Sequence, residues 1–473
     1  MSRRDRIRLG YYDFTFNGTL WYPGAAHGFL CAPARSGKFR DVMAQMLATW
    51  RGSCFVIDPK GQACACTSRH RAKKLGQEVW RLDPFNMLPN LPGVKWCPRL
   101  AQVDPIADLN PRSDGFGADA DNIAEAVIPE TLHREDSHWV ESARGLVSGL
   151  VMFLKARFPR ETLATVFHVV SGRDVFLVAQ NACRWAEANG LTDFMAERLA
   201  RFADADAPHN KEVRSMVSTA ITALRFIGNR AIATSLSGSS FGFGEMKRRP
   251  ITVYLILPGE YLGGNCMRWF RLIAGTAVDA YMREPSRKVP VLGVFDEYKS
   301  AVGKLGVIEA FMGLGAGYGC QLLPVLQNLS QLKELHPEGW ETFLANSGFK
   351  IFFAPRDKTT SDYLSDMCGL SEARTVSKSI SEGRNGELSV NLSFAQHVRQ
   401  YLLPHETRNL GSNEMLVFGE DVPGVIRAGR RPYFLSPDFK GCFDPDPYEY
   451  GKEKHGRGLT RHGFGEVIYG KGF

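Results

Sequence analysis

The sequence predicts an α/β protein whose central β-sheet is mostly parallel and carries helices on both faces. Short apolar runs rich in β-branched and aromatic residues alternate with stretches of helical spacing, which is typical of strands buried on both sides. Gly, Pro or charged residues bound most of these runs. The chain of 473 residues is 44% hydrophobic, so it can bury a large core and divide into two or more domains.

In chain order, the predicted strands are 28–32, 53–58, 78–83, 251–258, 289–297, 320–327 and 349–355, followed by 415–420 and 424–434. The polar stretch 381–391 surrounds Asn385-Gly386, which is a hairpin turn signal. The late strands therefore follow a predicted hairpin.

Between about residues 158 and 232 the spacing is helical and no convincing strand intervenes. We expect an all-α domain inserted here, between a first part (1–157) and a second part (233–440) of the α/β domain. Residues 441–473 are Gly-rich and polar, and they predict a flexible tail.

Composition and charge limit the classes of protein to consider. The charged fraction of 23% is ordinary for a folded protein, and the net charge of +8 is compatible with a polyanionic partner. The ten cysteines are irregularly spaced and predict reduced thiols rather than a zinc site. No signal peptide is apparent, and the longest apolar run, 145–154, is about half of the ~20 residues that a membrane span needs. We expect a cytoplasmic protein.

The segment APARSGKF, residues 32–39, lies between a predicted strand and a predicted helix, which is where a phosphate-binding loop belongs. Gly37 would permit a close backbone approach, and Lys38 would reach the β- and γ-phosphates. Ala32 replaces the usual first Gly, and Phe39 replaces the hydroxyl residue that normally ligates magnesium. The remaining predicted nucleotide-binding residues are Ala34, Arg35 and Ser36. The alternative is a strand–loop–helix turn with an incidental lysine.

The strand 289–297 ends in Asp296 and Glu297. A carboxylate at such a strand tip can hold Mg²⁺, and its neighbour can polarise the attacking water. The next strand ends in Gln327, which could contact the γ-phosphate or that water. Asp58, with Pro59-Lys60-Gly61, ends another strand at the same predicted edge, although an ordinary turn explains that pattern by itself.

Several sequence segments of the chain resemble those of the TraG-like coupling proteins of conjugative type IV secretion, which belong to the RecA-like P-loop motor class. The most specific run, 295–357, contains FDEYKSAVGKL, AGYGCQLLPVLQNLSQLKE and LANSGFKIFFAPRD. APARSGK, VIDPKG, LGQEVWRLDPF, DSHWVESARGLVSGL and RQYLLPHETRNLGSNEMLVFGEDVPGVI extend the resemblance over about residues 9–439. The expected fold is therefore a RecA-like P-loop NTPase with an inserted all-α domain.

The resemblance implies ATP and Mg²⁺ as cofactors. It makes Lys38 the phosphate-binding lysine, Asp296 the magnesium carboxylate, and Glu297 the general base. Gln327 becomes the sensor of the γ-phosphate. Where some relatives carry an arginine finger, residues 315–319 contain no arginine, and Gln62 replaces a frequent Glu.

Function and partners follow from the same resemblance. We expect an ATPase motor or docking platform that couples DNA or protein cargo to a type IV secretion machine. The implied partners are single-stranded DNA bound without sequence preference, secretion-channel proteins, relaxosome or effector proteins, and further copies in a ligand-dependent homohexamer. Members usually begin with membrane-spanning helices, which this chain lacks, so we expect contact with the inner membrane face only through a partner.

Two alternatives remain open: a nucleotide-binding recruitment adaptor with little hydrolysis, and a soluble DNA motor of the same ancestry in packaging or defence. Arg268 and Arg271 are candidate trans-acting arginines, with helix-surface charges as the alternative. Candidate DNA contacts lie in three basic stretches, 247–249, 70–74 and 427–431, although such a stretch is more often a solvated surface than a specific contact.

Overall fold

The computed structural model describes residues 6–12, 18–129, 137–191, 195–262, 264–382 and 388–449. Within them, one sheet has twelve strands in the order β2-β1-β14-β13-β10-β3-β9-β8-β4-β7-β5-β6. The strands are β1 Ile7–Tyr11, β2 Thr19–Tyr22, β3 His27–Cys31, β4 Ser53–Ile57, β5 Glu78–Leu82, β6 Arg99–Leu100, β7 Ile251–Leu255, β8 Val291–Phe295, β9 Cys320–Leu326, β10 Ser347–Phe352, β13 Glu414–Gly419 and β14 Ile426–Gly429.

The eight strands from β10 to β6 are parallel to one another, whereas β13, β14, β1 and β2 continue the sheet beyond β10 in antiparallel pairs. The predicted mostly parallel sheet is confirmed, and each of the nine predicted strands lies in it. The strands β1, β2 and β6 were missed. In β1 the buried Arg8 interrupts the apolar pattern; its guanidinium pairs with Asp438 and lies over the ring of Phe439.

The central strands are buried on both faces, as the apolar runs predict. In β4, Phe55 and Ile57 enter the hydrophobic core on one face of the sheet, and Cys54 and Val56 enter the core on the other. Side chains of successive strand residues point to opposite faces, so a strand covered on both sides must be apolar throughout.

The described helices pack on the two faces of this sheet or against one another. They are α1 Ala44–Thr49, α2 Gln62–Lys73, α3 Phe116–Val127, α4 Ser137–Arg157, α5 Leu163–Ser171, α6 Val175–Ala188, α7 Glu197–Ala203, α8 Lys211–Leu224, α9 Arg230–Ser235, α10 Met267–Arg283, α11 Tyr298–Ala301, α12 Gly306–Leu314, α13 Leu329–Leu335, α14 Trp340–Ala345, α15 Lys358–Met367 and α16 Pro404–Arg408. A π-helical turn, Phe39–Met43, leads directly into α1. The described residues contain no helix that combines the length and the apolar character of a membrane span.

The strands β11 Leu370–Glu382 and β12 Leu388–Gln400 form a separate two-stranded antiparallel sheet, called the ribbon below. Their register runs from Leu370 opposite Gln400 to Glu382 opposite Leu388. The predicted turn residues Asn385-Gly386 lie outside the described residues. The turn signal did not reveal that both strands are 13 residues long.

Residues 441–449 pack against α2, although the sequence assigned them to a flexible tail. The Asp444 amide donates to the carbonyl oxygen of Cys66, and the Gln62 amide donates to Asp446 at 2.7 Å. Tyr448 donates its hydroxyl to the Lys60 carbonyl at 2.7 Å. The remainder of the predicted tail, from residue 450, lies outside the described residues.

Candidate functional site

The loop between β3 and the π-helical turn has the backbone geometry of a phosphate-binding loop. Arg35 and Gly37 both have positive φ angles, +60° and +89°. The φ angle of Gly37 is one that residues with a side chain rarely adopt, so glycine is favoured there, and a Cβ atom would also lie 2.8 Å from the Arg40 guanidinium. The exposed Ala34 and Arg35 lie in the same loop, at the carboxyl end of β3.

Lys38 follows this loop and contacts both predicted carboxylates. Its Nζ lies 3.0 Å from Asp296 Oδ1 and 2.8 Å from Glu297 Oε1. Burial alone would lower the pKa of Lys38, but the two carboxylates outweigh it and raise the pKa above the usual lysine value. Lys38 is therefore a mostly buried cation at the carboxyl end of β8.

Gln327, directly after β9, completes the cluster by donating its amide to Glu297 Oε2 at 2.9 Å. Burial opposes the charge of Glu297, yet Lys38 and Gln327 together lower the pKa of this carboxyl. Glu297 also has a left-handed backbone, φ 53° and ψ 45°, which is strained for a residue with a side chain and is typical of functional positions. The structure thus brings Lys38, Asp296, Glu297 and Gln327 together at one edge of the sheet.

The two unusual loop positions have structural explanations. Ala32 is fully buried and its amide donates to the Leu326 carbonyl at 2.9 Å, which continues the pairing of β3 with β9. Phe39 is buried in the core, where its ring meets Tyr433 edge-on at 6.4 Å between centroids. The side chain of Phe39 has no oxygen to offer a cation, and its burial shows that this position serves the core instead.

Ser36 carries a polar atom without a protein partner. Its Oγ is buried and has no hydrogen-bond partner among the described residues. A buried hydroxyl left unpaired costs about 1–3 kcal/mol. A phosphate oxygen seated in the loop would satisfy it, and the arrangement of Asp296 suits Mg²⁺, which binds one or two carboxylates together with phosphate oxygens.

Arg430 and Asp41 also support the loop, and sequence reasoning missed both roles. Arg430 Nη1 donates to the Ser36 carbonyl at 2.6 Å and to Asp41 Oδ2 at 2.9 Å, and its guanidinium lies 3.9 Å from the ring centroid of Phe353. The only sequence signal was the basic stretch 427–431, which predicted a DNA contact. Arg430 is instead buried and holds the phosphate loop to the end of β14.

Other predicted residues lie elsewhere or serve the fold. Asp58 is buried at the tip of β4, and its Oδ2 accepts from the Cys64 amide at 2.8 Å near the start of α2, as the turn interpretation expects. Burial raises the pKa of Asp58 to about 7, and the nearby Asp296 adds to this.

Arg271 is buried and donates to the Ala126 carbonyl at 2.9 Å, so it is neither a surface charge nor free to reach another subunit. Arg268 is half-buried on the same helix, α10.

Each predicted basic stretch contains one residue that is buried for structural reasons. Lys247 donates to the carbonyl oxygens of Tyr281 and Glu284. Arg71 is fully buried and donates to the carbonyl oxygens of Trp50 and Gly52, at 3.0 and 2.9 Å. Because Lys247, Arg71 and Arg430 are all buried, none of the three stretches is a continuous basic surface. Lys73 and Lys74 remain an adjacent exposed pair.

A phosphate loop after β3, strand-tip carboxylates on β8 and a polar residue after β9, all at the carboxyl edge of a parallel sheet, define a RecA-like P-loop NTPase. Residues 3–448 match the family described as "Type IV secretory system Conjugative DNA transfer". The chain belongs to that family, which confirms the resemblance.

Curated relatives agree over most of the chain. It is 24% identical over 439 residues to the conjugal transfer protein TraG of Agrobacterium fabrum, covering 90% of this chain and 63% of the relative. It is 25% identical over 440 residues to the protein VirD4 of Rhizobium rhizogenes, covering 89% and 61%. The chain therefore spans less than two thirds of the length of these two relatives.

Solved structures share the fold. The bacterial conjugative coupling protein TrwB, without its first 70 residues, aligns with a TM-score of 0.62 at 15% identity, covering 86% of this chain and 84% of that one. TrwB in complex with ADP and Mg²⁺ aligns with a TM-score of 0.61 at 14% identity, covering 86% of each chain. These similarities show that the chain and TrwB share a fold.

Proposed function

We propose that this chain is an ATP-binding motor or docking platform that couples DNA or protein cargo to a type IV secretion machine. The observation that carries the proposal is the cluster of Lys38, Asp296, Glu297 and Gln327 beside the phosphate loop, in a member of the conjugative DNA transfer family. The related fold of TrwB has been solved with ADP and Mg²⁺, which supports the same cofactor class here.

The proposed roles follow from the contacts. Lys38 is paired with two carboxylates, so a phosphate oxygen that binds Lys38 must compete with them and would release Glu297 from that pair. Glu297 has a lowered pKa and is ionised at neutral pH, so it can accept the proton of an attacking water. Gln327, bonded to Glu297, is placed to orient that water. Bound Mg²⁺ would neutralise charge that develops on the phosphates, with Asp296 holding it.

Partners and assembly are proposed on the strength of the family. We propose that DNA is bound through its backbone, that the subunits form a hexamer once nucleotide and DNA are bound, and that secretion-channel and relaxosome or effector proteins are partners. A separate protein would recruit the chain to the inner membrane face. The helices within 158–232 are proposed as an inserted domain that meets the cargo, and the α/β parts on either side, 1–157 and 233–440, as one nucleotide-binding domain.

DNA binding tests the proposal. Anisotropy of labelled single-stranded oligonucleotides should give an affinity that ignores sequence and falls steeply with salt, because cations that neutralise phosphates release counterions. Replacing Lys73 and Lys74 by Ala should reduce the slope of log K against log salt by up to about 1.4, since each phosphate contact on a single strand contributes about 0.7. The exposed Lys288, which lies outside the inserted segment and outside the three basic stretches, serves as the control when it is changed to Ala. Strong sequence preference or salt-independent binding would contradict backbone recognition.

A further inference from the structure

The ribbon has two unlike faces. Residues directly opposite in an antiparallel pair lie on the same face, and the register places Val376 opposite Phe394 and Ile380 opposite Val390. The alternate positions carry small polar residues: Ser377 is opposite Ser393, and Ser379 is opposite Asn391. One face, called the apolar face below, therefore carries the apolar side chains, interspersed with the positions of Glu372, Arg374, Lys378, Gln396 and Gln400. The other face is polar.

The apolar face is uncovered. Seven of its side chains are between 52% and 73% exposed: Leu370, Val376, Ile380, Val390, Leu392, Phe394 and Val398. No described part of the chain packs over them. Exposed apolar residues that occur singly need no explanation, but a contiguous set on one face marks an interaction surface.

The stability of the ribbon leads to the same conclusion. Each strand has 13 residues and is about 44 Å long. A two-stranded sheet is marginal in water by itself and needs a further strand or a packed face to be stable. The ribbon forms a sheet of its own and leaves its apolar face in solvent, so this face requires a partner from outside the described fold.

We propose that the partner is the ribbon of a second copy of this chain, packed apolar face against apolar face. The exposed fractions of the seven side chains amount to about 800 Å², which is the surface each partner contributes to an interface of standard size. Two sheets that pack face to face need matching flat apolar surfaces, and a second ribbon supplies one.

Charge along β11 fits a two-fold arrangement. Glu372 and Lys378 lie on the apolar face, three residues before and three residues after Thr375. Consider a two-fold axis that lies between the two ribbons, perpendicular to their strands, at the position of Thr375. This axis places Glu372 of each copy opposite Lys378 of the other, and Leu392 opposite Val398. Both charged residues are exposed, and each such pair would set opposite charges against each other across the interface. Within its own ribbon, Glu372 also accepts a hydrogen bond from the Gln396 amide at 2.5 Å.

Sedimentation equilibrium of the full chain without nucleotide or DNA tests the proposal. The wild type should dimerise, and the double variant Leu392→Ser/Phe394→Ser should raise the dissociation constant at least tenfold, because central apolar residues dominate such interfaces. Ser377→Ala/Ser379→Ala, on the polar face of the same ribbon, should leave the constant unchanged. Far-ultraviolet circular dichroism and the melting temperature show whether each variant keeps the fold of the body.

Charge exchange provides the sharper measurement. Glu372→Lys and Lys378→Glu should each weaken the dimer, since like charges then oppose across the interface, and the double variant should restore it. The two residues are six positions apart on one strand, about 20 Å, so restoration must arise between copies.

Three outcomes would overturn the proposal: a wild type that stays monomeric up to 100 μM, a dimer that the Leu392→Ser/Phe394→Ser variant does not weaken, or single charge variants whose loss the double variant does not restore. If instead the monomer cosediments with phosphatidylcholine–phosphatidylglycerol vesicles, and the apolar-face variant abolishes this, the face binds lipid and the dimer is wrong.

Discussion

Side chains at the phosphate-loop edge and side chains on the ribbon have opposite surroundings. At the loop, buried charges find partners within the chain: Lys38 pairs with Asp296 and Glu297, and Arg430 pairs with Asp41. On the ribbon, apolar side chains such as Phe394 and Leu370 lie in solvent, 73% and 71% exposed. The charges of the loop edge are satisfied within the chain, whereas no described part of the chain covers the apolar face of the ribbon.

This difference separates two kinds of functional surface. Charges at the loop edge cannot be removed singly without leaving a buried partner, so mutations there affect folding as well as chemistry. Ribbon side chains make few contacts within the chain, so mutations there should affect association and leave the fold intact.

Arg430→Ala should show the largest effect. It removes a buried partner of Asp41 and a donor to the Ser36 carbonyl, and we expect a loss of about 3 kcal/mol in the free energy of unfolding. Urea denaturation measures it. Arg427→Ala is the matched control, because its pair with Glu414 is exposed and worth no more than about 1 kcal/mol.

The ribbon gives the contrast for that measurement. Phe394→Ser should change the unfolding free energy of the monomer by less than about 0.5 kcal/mol, as expected for an exposed position. If Phe394→Ser destabilised the monomer as much as Arg430→Ala, the ribbon would be packed within its own chain and the comparison would fail.

Lys38→Ala should give a smaller effect, on ligand affinity. Loss of a charge-assisted phosphate contact should weaken ATP binding at least tenfold, about 1.4 kcal/mol. Calorimetry with the wild type, Lys38→Ala and the control Lys299→Ala measures it; Lys299 pairs with Glu334 outside the cluster. Equal ATP affinities for the wild type and Lys38→Ala would show that the loop does not bind the nucleotide.

The sequence predicted those parts that depend on local pattern. The nine predicted strands come from apolar runs and their boundaries, and the hairpin comes from Asn385-Gly386. Lys38 was found in the phosphate-loop motif, and Asp296, Glu297 and Gln327 were found because each lies at or just after a strand end. Parallel strands bring their carboxyl ends to one edge, so these four residues had to lie near each other once the sheet formed.

The features that were missed depend on contacts between segments that are distant in the sequence, and such contacts cannot be predicted from single residues. Arg430 reaches Ser36 across 394 positions, and nothing in a basic stretch distinguishes a buried cation from a solvated one. Arg71 and Arg271 were misread for the same reason, since both are buried by donating to carbonyl oxygens of other elements. The packing of residues 441–449 on α2 depends on single contacts such as Asp446 with Gln62, in a polar stretch without periodicity.

Steady-state ATP hydrolysis, with and without single-stranded DNA, tests the central claim most directly when wild type and Glu297→Gln are measured side by side. Glu297 accepts from Lys38 and Gln327, so the amide variant should keep nucleotide binding while losing the base. We expect DNA-stimulated turnover by the wild type and a decrease of roughly 10²-fold in the variant, with ATP affinity nearly unchanged. A variant that hydrolyses at the wild-type rate would place the base elsewhere, and a wild type without turnover under any DNA or magnesium condition would contradict the motor.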